Sequence, residues 1–517
     1  MRWKHFFQGL RKYRTVLLPQ VEAVLKEKPF AGEVEAAFII PARKTPELHV
    51  ILRKLRQGVR VSRNDGYILY LIDSKVFEED VVNNAYADTL AHKLLIPFQP
   101  VQGDDFLRRL EKKYKKEIII QLLKDLVSEH KLAATNLMID VRYFLYEKVR
   151  RFVEVFPLMR AELVESLEND VEPVKGFEKA AEELVREGVL SKRDGLYTPS
   201  MDAVKSFEKI PVLSGLEQLR KLNILKLSKA FSLLVFDVAM RFTAPVAHLP
   251  DPDQYIYLST ARGLQPLSKQ LDVLDFVKEF YGGEARIKRV GGLFNSTYMI
   301  EVDSVKLFAK RYLSWTDVKW VAARVWTAWV KDFSINPSTR MAKEIYFLNH
   351  LRNQGFNTPE IIHVNWNGKI LYTSYIDGSN LMTTWLSRTS GRRDFARQVG
   401  ETLARIHGKG VQLGDCKPET FIRSAEGQIY VTDVEQASTE GDPAWDLMEL
   451  VFYPGHYLEA EEAASFAAVV VEGYAKAGSL ETVRKALKPS YVRTMALWTP
   501  PWVQKEISDR IKAFLKA

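Results

Sequence analysis

Two aspartates with a lysine beside the first are the side chains of this chain best suited to chemistry. They lie in Gly414-Asp415-Cys416-Lys417-Pro418-Glu419-Thr420 and in Val431-Thr432-Asp433-Val434-Glu435. The first stretch reads as a loop, the second as a short strand running into a turn. Such a set suits phosphoryl transfer, where catalysis is mostly positioning and charge neutralisation. Asp415 would orient the attacking hydroxyl or accept its proton. Lys417 would neutralise charge on the moving γ-phosphate, and Asp433 would hold Mg²⁺ or Mn²⁺.

These stretches resemble the H-R-D-x-K-x-x-N loop and D-F-G turn of protein kinases. The resemblance implies ATP as donor and a set of upstream parts in a fixed order. Residues 285–290 and 298–302 read as two strands, joined through Gly291-Gly292-Leu293-Phe294-Asn295-Ser296-Thr297. Gly291, Gly292, Asn295 and Ser296 would then lay backbone N–H groups over the phosphates; taken alone, the segment is an ordinary hairpin. Val305-Lys306-Leu307-Phe308-Ala309-Lys310-Arg311-Tyr312 is similar to the V-A-I-K strand, which makes Lys310 the lysine of the α- and β-phosphates. Lys306 falls too early on that strand and reads as solvated.

A helix from Pro337 carries Met341, Ile345, Leu348 and Leu351 on one face and stops at Gly355 and Pro359. It offers Glu344 as the partner of Lys310. Residues 370–378 resemble the strand entering the hinge, where the backbone of Tyr375 and Ile376 would grip adenine. A further helix, 395–407, leads into the catalytic loop. Asp446, in Gly441-Asp442-Pro443-Ala444-Trp445-Asp446-Leu447, would brace that loop.

Several positions depart from the pattern. Thr420 stands where kinases place an asparagine, so a hydroxyl replaces an amide carbonyl as second metal ligand. Glu435 replaces the glycine of the turn and is either an extra carboxylate for the metals or a solvated charge. Leu413 stands in the histidine position. The span from Asp433 to Asp446 is too short for an ordinary activation segment, and no A-P-E motif is present.

The chain therefore resembles the small atypical branches of the superfamily. These are the RIO-type kinases, the kinase accompanying tRNA threonylcarbamoylation, the lipopolysaccharide-core kinases and the aminoglycoside-type phosphotransferases. Gly291-Gly292-x-x-Asn295 resembles the aminoglycoside and choline kinase type, whereas Lys417 resembles Ser/Thr protein kinases. Because Lys417 sits at the chemistry, the expected reaction is that of an atypical serine/threonine protein kinase. The alternatives are a small-molecule or lipid-headgroup kinase and a nucleotide-binding pseudokinase.

The 517 residues allow two or three domains. A single cysteine, Cys416, excludes an internal disulfide and suits a reducing cytoplasm. It is either a reactive thiol beside Asp415 or a small residue filling the loop. No apolar run reaches the roughly 18 residues of a membrane span, and the start of the chain lacks the apolar core of a signal peptide. The net charge of +9 permits contact with nucleic acid or anionic surfaces without demonstrating it.

The expected fold class is α+β: a two-lobed kinase-like domain preceded by an α/β domain and a helical, winged-helix-like domain. The domains read as 1–110 (α/β), 111–210 (winged-helix-like), 211–280 (helical connector) and 281–517 (kinase-like). Within the last, the lobes divide near residues 376 and 377. In the first domain a helix is expected over 6–27 and a hairpin at Asn64-Asp65-Gly66. The cluster Lys112-Lys113-Tyr114-Lys115-Lys116 reads as a solvated helix face.

The helix 176–188 and the hairpin around Asp194-Gly195 resemble a winged helix, as RIO-type kinases can carry. Lys192 and Arg193 at the wing could meet nucleic acid. However, Glu178, Glu182, Glu183 and Glu187 make the helix acidic, which favours a protein-docking or purely structural wing. Two helices are expected over 216–229 and 230–242.

Overall fold

The computed structural model describes residues 33–41, 45–64, 66–209, 248–282, 285–290, 295–303, 305–313 and 333–516. The expected helices at 6–27, 216–229 and 230–242, and the turn at Gly291 and Gly292, lie outside the described residues. The chain divides into two compact units. One comprises Met1–Ser128 and Met138–Tyr257, the other Glu129–Leu137 and Leu258–Ala517.

In the first unit β1 (Val34–Ile40), β2 (Glu47–Leu52), β3 (Val59–Asn64), β4 (Tyr67–Asp73) and β5 (Gln99–Gln102) form a sheet of order β3-β4-β2-β1-β5. β2 and β4 run parallel, and the other neighbours are antiparallel. The hairpin at Asn64 forms, with Gly66 at φ +90°, where glycine carries no steric penalty. Strand alternation sorts the side chains onto two faces. Ala37, Ile39, Leu48, Val50, Leu69 and Leu71 pack on one, while Phe38, His49 and Tyr70 stack in a row on the other.

The same unit contains the long helix α1 (Asp104–His130), except its last two residues, which belong to the second unit, together with α2 (Val171–Arg186) and the hairpin β6 (Leu190–Arg193) with β7 (Leu196–Pro199). The lysine cluster on α1 departs from the expected solvated face at Lys115, while Lys112 and Lys113 are exposed. Lys112 and Lys116 reach Glu183 on α2 at 2.7 and 3.1 Å. Lys115 is fully buried, 2.6 Å from Glu111. Glu183, one of the acidic residues of α2 that weaken a nucleic-acid reading, thus pairs with Lys112 and Lys116, whereas Lys115 pairs within α1.

In the second unit β8 (Ala285–Arg289), β9 (Asn295–Val302), β10 (Val305–Tyr312), β11 (Ile361–Asn365) and β12 (Ile370–Ser374) form an antiparallel sheet of order β8-β9-β10-β12-β11. Ile300, Leu307, Ala309, Ile370 and Tyr372 make its core with Phe276, whose ring stacks 4.3 Å from that of Tyr372. Between β10 and β11 in sequence lies α3 (Pro337–Asn353). Asn336 caps it, accepting the Thr339 amide at 3.2 Å, and Pro337 occupies its first turn.

The rest of this unit is mostly helical. A small sheet joins β13 (Gly378–Asn380), β14 (Phe421–Ser424) and β15 (Ile429–Val431). Around it lie α4 (Arg392–Gly408), α5 (Pro443–Phe452), α6 (Ala460–Ala477) and α7 (Pro501–Lys516). Every residue of α5 from Ala444 to Phe452 is buried, so this helix forms the centre of the helical part. α4 and α6 approach backbone to backbone: a Cβ on Gly473 would stand 1.9 Å from the Arg397 carbonyl oxygen. Among the described residues no helix is long and apolar enough to cross a membrane.

Candidate active site

Strand alternation puts Lys310 and Tyr312 on the same face of β10, opposite the core-facing Leu307 and Ala309. On α3, Arg340 and Glu344 are four residues apart and so share one helix face. These two faces meet. Lys310 Nζ lies 2.7 Å from Glu344 Oε2, to which the Tyr312 hydroxyl also donates. Both Lys310 and Glu344 are buried.

The turn after β15 closes the cluster from the helical side. Lys310 also donates to Asp433 and stands 3.0 Å from Glu435 Oε2. Arg340, fully buried, donates to Glu435 Oε1 from Nε and Nη2 at 3.1 and 2.6 Å and to the Leu313 carbonyl at 3.2 Å. Glu435 is therefore not a solvated charge; the alternative that made it one is corrected by its buried pair with Arg340.

Burial opposes the charge on Lys310, but Asp433, Glu344 and Glu435 outweigh it and hold the ammonium well above its usual range. Burial raises Glu344 against the pull of Lys310. Burial also acts against Asp433, yet Lys310 keeps it below the usual carboxylate range.

Asp433 adopts φ +54°, a left-handed conformation that short polar side chains tolerate better than most. Its side chain is about half exposed (52%), whereas that of Glu344 is 8% exposed. Oxygen atoms of Glu344, Asp433 and Glu435 lie within 4.8 Å of one another. Three carboxylates are hard oxygen donors of the kind Mg²⁺ and Mn²⁺ accept. Lys310 and Arg340 already hold oxygens of Glu344 and Glu435, which leaves Asp433, the most accessible of the three, as the residue best placed to meet such an ion.

The loop that carries Asp415 hangs from α5. The Leu413 and Gly414 amides donate to Asp446, the latter at 2.8 Å, and His407 Nε2 lies 3.1 Å from the same carboxylate. Trp445 Nε1 donates to the Gly414 carbonyl at 3.1 Å. Asp446 thus braces the loop as its sequence position implies. One turn further along α5, Glu449 Oε2 accepts the Cys416 amide at 2.7 Å.

Lys417 Nζ stands 2.7 Å from Asp415 Oδ1 and 5.3 Å above the Tyr453 ring. Burial opposes the Lys417 charge, but Asp415 and Glu449 carry it well above its ordinary value. Lys417 in turn helps keep Asp433 ionised, so the two clusters act on one another electrostatically. Thr420 is buried and its hydroxyl lies 3.4 Å from the Asp415 carbonyl oxygen. Cys416 is fully buried and its thiol is pushed far up by burial and three nearby carboxylates. It fills the loop rather than presenting a reactive thiolate.

Lys306 is 40% exposed, 3.6 Å from Asp377 and 5.7 Å over the Tyr375 ring, away from the charged cluster. Tyr375 and Ile376 follow β12 and are half-buried. Ser296 lies opposite Arg311 and Asn295 opposite Tyr312 across the β9–β10 ladder. Arg340, Tyr312, Glu449 and Tyr453 were not singled out from sequence. Helical spacing was the available signal for two of them: Arg340 is four before Glu344, and Glu449 is three after Asp446.

A buried lysine–glutamate pair between sheet and helix, joined to an aspartate turn and beside an aspartate–lysine loop, is a protein kinase-like arrangement suited to phosphoryl transfer to a hydroxyl. Residues 303–450, which span all of these side chains, match the model of the lipopolysaccharide kinase (Kdo/WaaP) family. No curated protein matches the chain.

Among solved structures, the chain is similar to a choline kinase, LicA, from Streptococcus pneumoniae. That match has 14% identity and TM-score 0.23, over 47% of this chain and 98% of the other. A microcompartment-associated aminopropanol kinase matches at 12% identity and TM-score 0.28, over 46% and 93%. Rv3197 of Mycobacterium tuberculosis, solved with erythromycin, matches at 14% identity and TM-score 0.23, over 37% and 58%. Superpositions this loose carry no weight beside the family match.

Proposed function

We propose that the second unit is an ATP- and divalent-metal-dependent kinase that phosphorylates a hydroxyl on a small molecule or lipid headgroup. The observation that carries the ATP site is Lys310, which reaches Glu344 at 2.7 Å and Asp433 from a third element. In this reading Lys310, held by Glu344, positions the α- and β-phosphates. Asp415 orients the acceptor hydroxyl and takes its proton, while Lys417 neutralises the γ-phosphate. Asp433, with Glu435 beside it and Thr420 as a weaker ligand, would hold Mg²⁺ or Mn²⁺. That ion would supply charge neutralisation at the phosphate oxygens. The backbones around Gly291, Gly292, Asn295 and Ser296 would cover the phosphates, and Tyr375 and Ile376 would meet adenine.

The matched family supports an acceptor of the lipopolysaccharide-kinase kind over a protein side chain. The serine/threonine protein kinase reading rests on Lys417 alone and is the second choice. The helix α2 with its β6–β7 hairpin would serve as a winged-helix-like docking element for a protein partner. There Lys192 already pairs with Glu182 at 3.1 Å, which leaves less positive charge for nucleic acid.

The test is to incubate the full chain, or Asp415→Asn, with γ-labelled ATP, Mg²⁺ and cell extract, then separate protein, lipid and aqueous fractions. Label in the lipid or aqueous fraction that depends on Asp415 is the expected result. Asp415-dependent label in protein alone would overturn the choice of acceptor class.

A further inference from the structure

The last part of the second unit leaves large apolar side chains in solvent. Helix α7 buries Val503, Ile507 and Ile511, which recur every four residues and form its inward stripe. Trp502 stands outside that stripe and is 69% exposed, and Leu497, just before the helix, is 58% exposed. Tyr457, from the turn after α5, is 49% exposed. Apolar side chains exposed together mark an interaction surface, whereas single ones need no explanation.

These three belong to one corner of the fold. A Cβ on Gly455 would stand 2.5 Å from Thr499 Cγ2 and 2.9 Å from Val503 Cγ1, so the turn that leads to Tyr457 is pressed against the start of α7. The Thr499 hydroxyl donates to the Phe452 carbonyl at 2.7 Å, and Gln504 Nε2 donates to the Thr499 carbonyl at 2.9 Å. The turn between Leu497 and Trp502 is thereby fixed to the end of α5. The same corner adjoins the loop of Asp415: the Tyr453 ring lies 6.1 Å from that of Tyr457 and 5.3 Å from Lys417 Nζ.

The charge of this part of the chain is strongly of one sign. Residues 480–516 hold eight lysines and arginines against three acids. Lys488, Arg493 and Lys505 are exposed and form no ion pair with a carboxylate among the described residues. Tryptophan and tyrosine rings settle at the headgroup level of a bilayer, and unpaired cations are drawn to its anionic lipids. A second copy of the chain fits less well, because a two-fold contact would set the same unpaired cations against one another.

We propose that this corner docks the second unit on an anionic lipid surface. Trp502 and Leu497 enter the headgroup layer, and Lys488, Arg493 and Lys505 meet lipid phosphates. The proposal rests on the reading of a lipid-headgroup acceptor and adds how that acceptor is approached. Docking here brings Lys417, and with it Asp415 at 2.7 Å, to the side of the protein that faces the headgroups.

The experiment sediments the full chain, without ATP, with vesicles of phosphatidylcholine alone or of equal parts phosphatidylcholine and phosphatidylglycerol. Wild type is expected to sediment with the anionic vesicles only, less so as salt is raised. Trp502→Ala should weaken this binding about 10-fold, the loss of one large apolar side chain from the layer. The pair Arg493→Glu and Lys505→Glu should weaken it by more than about 10-fold. Trp502→Phe keeps an apolar ring and should still bind. Anionic vesicles should shift tryptophan emission to the blue in wild type but not in Trp502→Phe.

A wild type that sediments with neither vesicle, or equally with both, overturns the proposal. So does an equal emission shift in wild type and Trp502→Phe. A dimer in the ultracentrifuge that Trp502→Ala turns into a monomer would show that a second copy covers the corner, and would also overturn it. Asp415→Asn should bind vesicles like wild type. Absence of Asp415-dependent label from lipid would therefore defeat the acceptor reading alone, while vesicle binding decides the docking surface by itself.

Discussion

Arg340 and Glu435 form a buried ion pair, with guanidinium Nη2 2.6 Å from Oε1, that ties helix α3 to the turn carrying Asp433. The turn lacks the glycine that follows this aspartate in most kinases, and Glu435 occupies its place. A second carboxylate so close to Asp433 needs a cation that cannot dissociate into solvent. Arg340, fully buried and always charged, meets that need. Replacing it with alanine would leave Glu435 buried with less compensation. Arg340→Ala is expected to destabilise the second unit by about 3 kcal/mol or more. Urea titrations of the two proteins would measure this, and an unchanged midpoint would show that Glu435 finds another arrangement.

Asp433 is the most exposed of the three clustered carboxylates and is held ionised by Lys310. Asp433→Ala should abolish metal-dependent ATP binding and lower turnover by at least about 1,000-fold, the scale of removing a principal electrostatic group. Calorimetric titration with Mg²⁺ and ATP would read the binding. Unchanged turnover would sink the assignment of this residue to the metal.

Thr420 turns its hydroxyl toward the backbone of Asp415. Asparagine there restores the amide oxygen common to kinases, so Thr420→Asn should preserve or raise ATP turnover. The hydroxyl contact is long at 3.4 Å, and its loss should cost no more than about 1 kcal/mol. A large fall in kcat would mean that Thr420 does something other than weak metal ligation.

Gly473 marks where α6 touches α4. A methyl group would stand 1.9 Å from the Arg397 carbonyl oxygen, a backbone atom that cannot swing aside. Gly473→Ala should destabilise the helical part by about 3 kcal/mol, at the upper end of overpacking effects. Thermal melts would show a lower midpoint; Gly408→Ala, where a Cβ meets nothing within 4 Å, is the control.

Two histidines of the second unit should make its stability depend on acid. Burial, with help from Lys369, lowers His130 to about 3; burial, with help from Lys269, lowers His363 to about 4. Between those values and the unfolded value near 6.5, the unfolded chain binds more protons than the folded one. Stability must therefore fall as pH drops from about 6.5 toward 4, by on the order of 1 kcal/mol per pH unit for each histidine. His130→Gln should flatten the pH dependence of the melting midpoint, and an unchanged slope would refute the role of His130.

The order of the parts that meet at the candidate site was legible in the sequence because each has a local signature. The strand ending in Lys310, the helix carrying Glu344, the loop with Asp415 and Lys417 and the turn at Asp433 each follow from a short-range pattern of charge and hydrophobic period. Asp446 was legible as a brace for the same reason. The sequence could not say whether Glu435 was buried, since one carboxylate after another reads the same in solvent as in a core. Only the arrival of Arg340, 95 positions away, decides it. Lys115 was misjudged in the same way: a lysine run looks solvated until a second helix covers one of its members, here with the Pro173 carbonyl and the Phe177 ring.

Chain-local chemistry thus determined which groups could take part. Tertiary packing decided which of them lost their water and so acquired fixed partners and shifted proton affinities. Glu449 shows the difference most plainly. Its spacing from Asp446 put it on the right side of α5, but its hydrogen bond from the Cys416 amide exists only once the loop folds over that helix. Burial and a neighbouring charge set the state of a carboxyl group, and both are properties of the surroundings rather than of the residue.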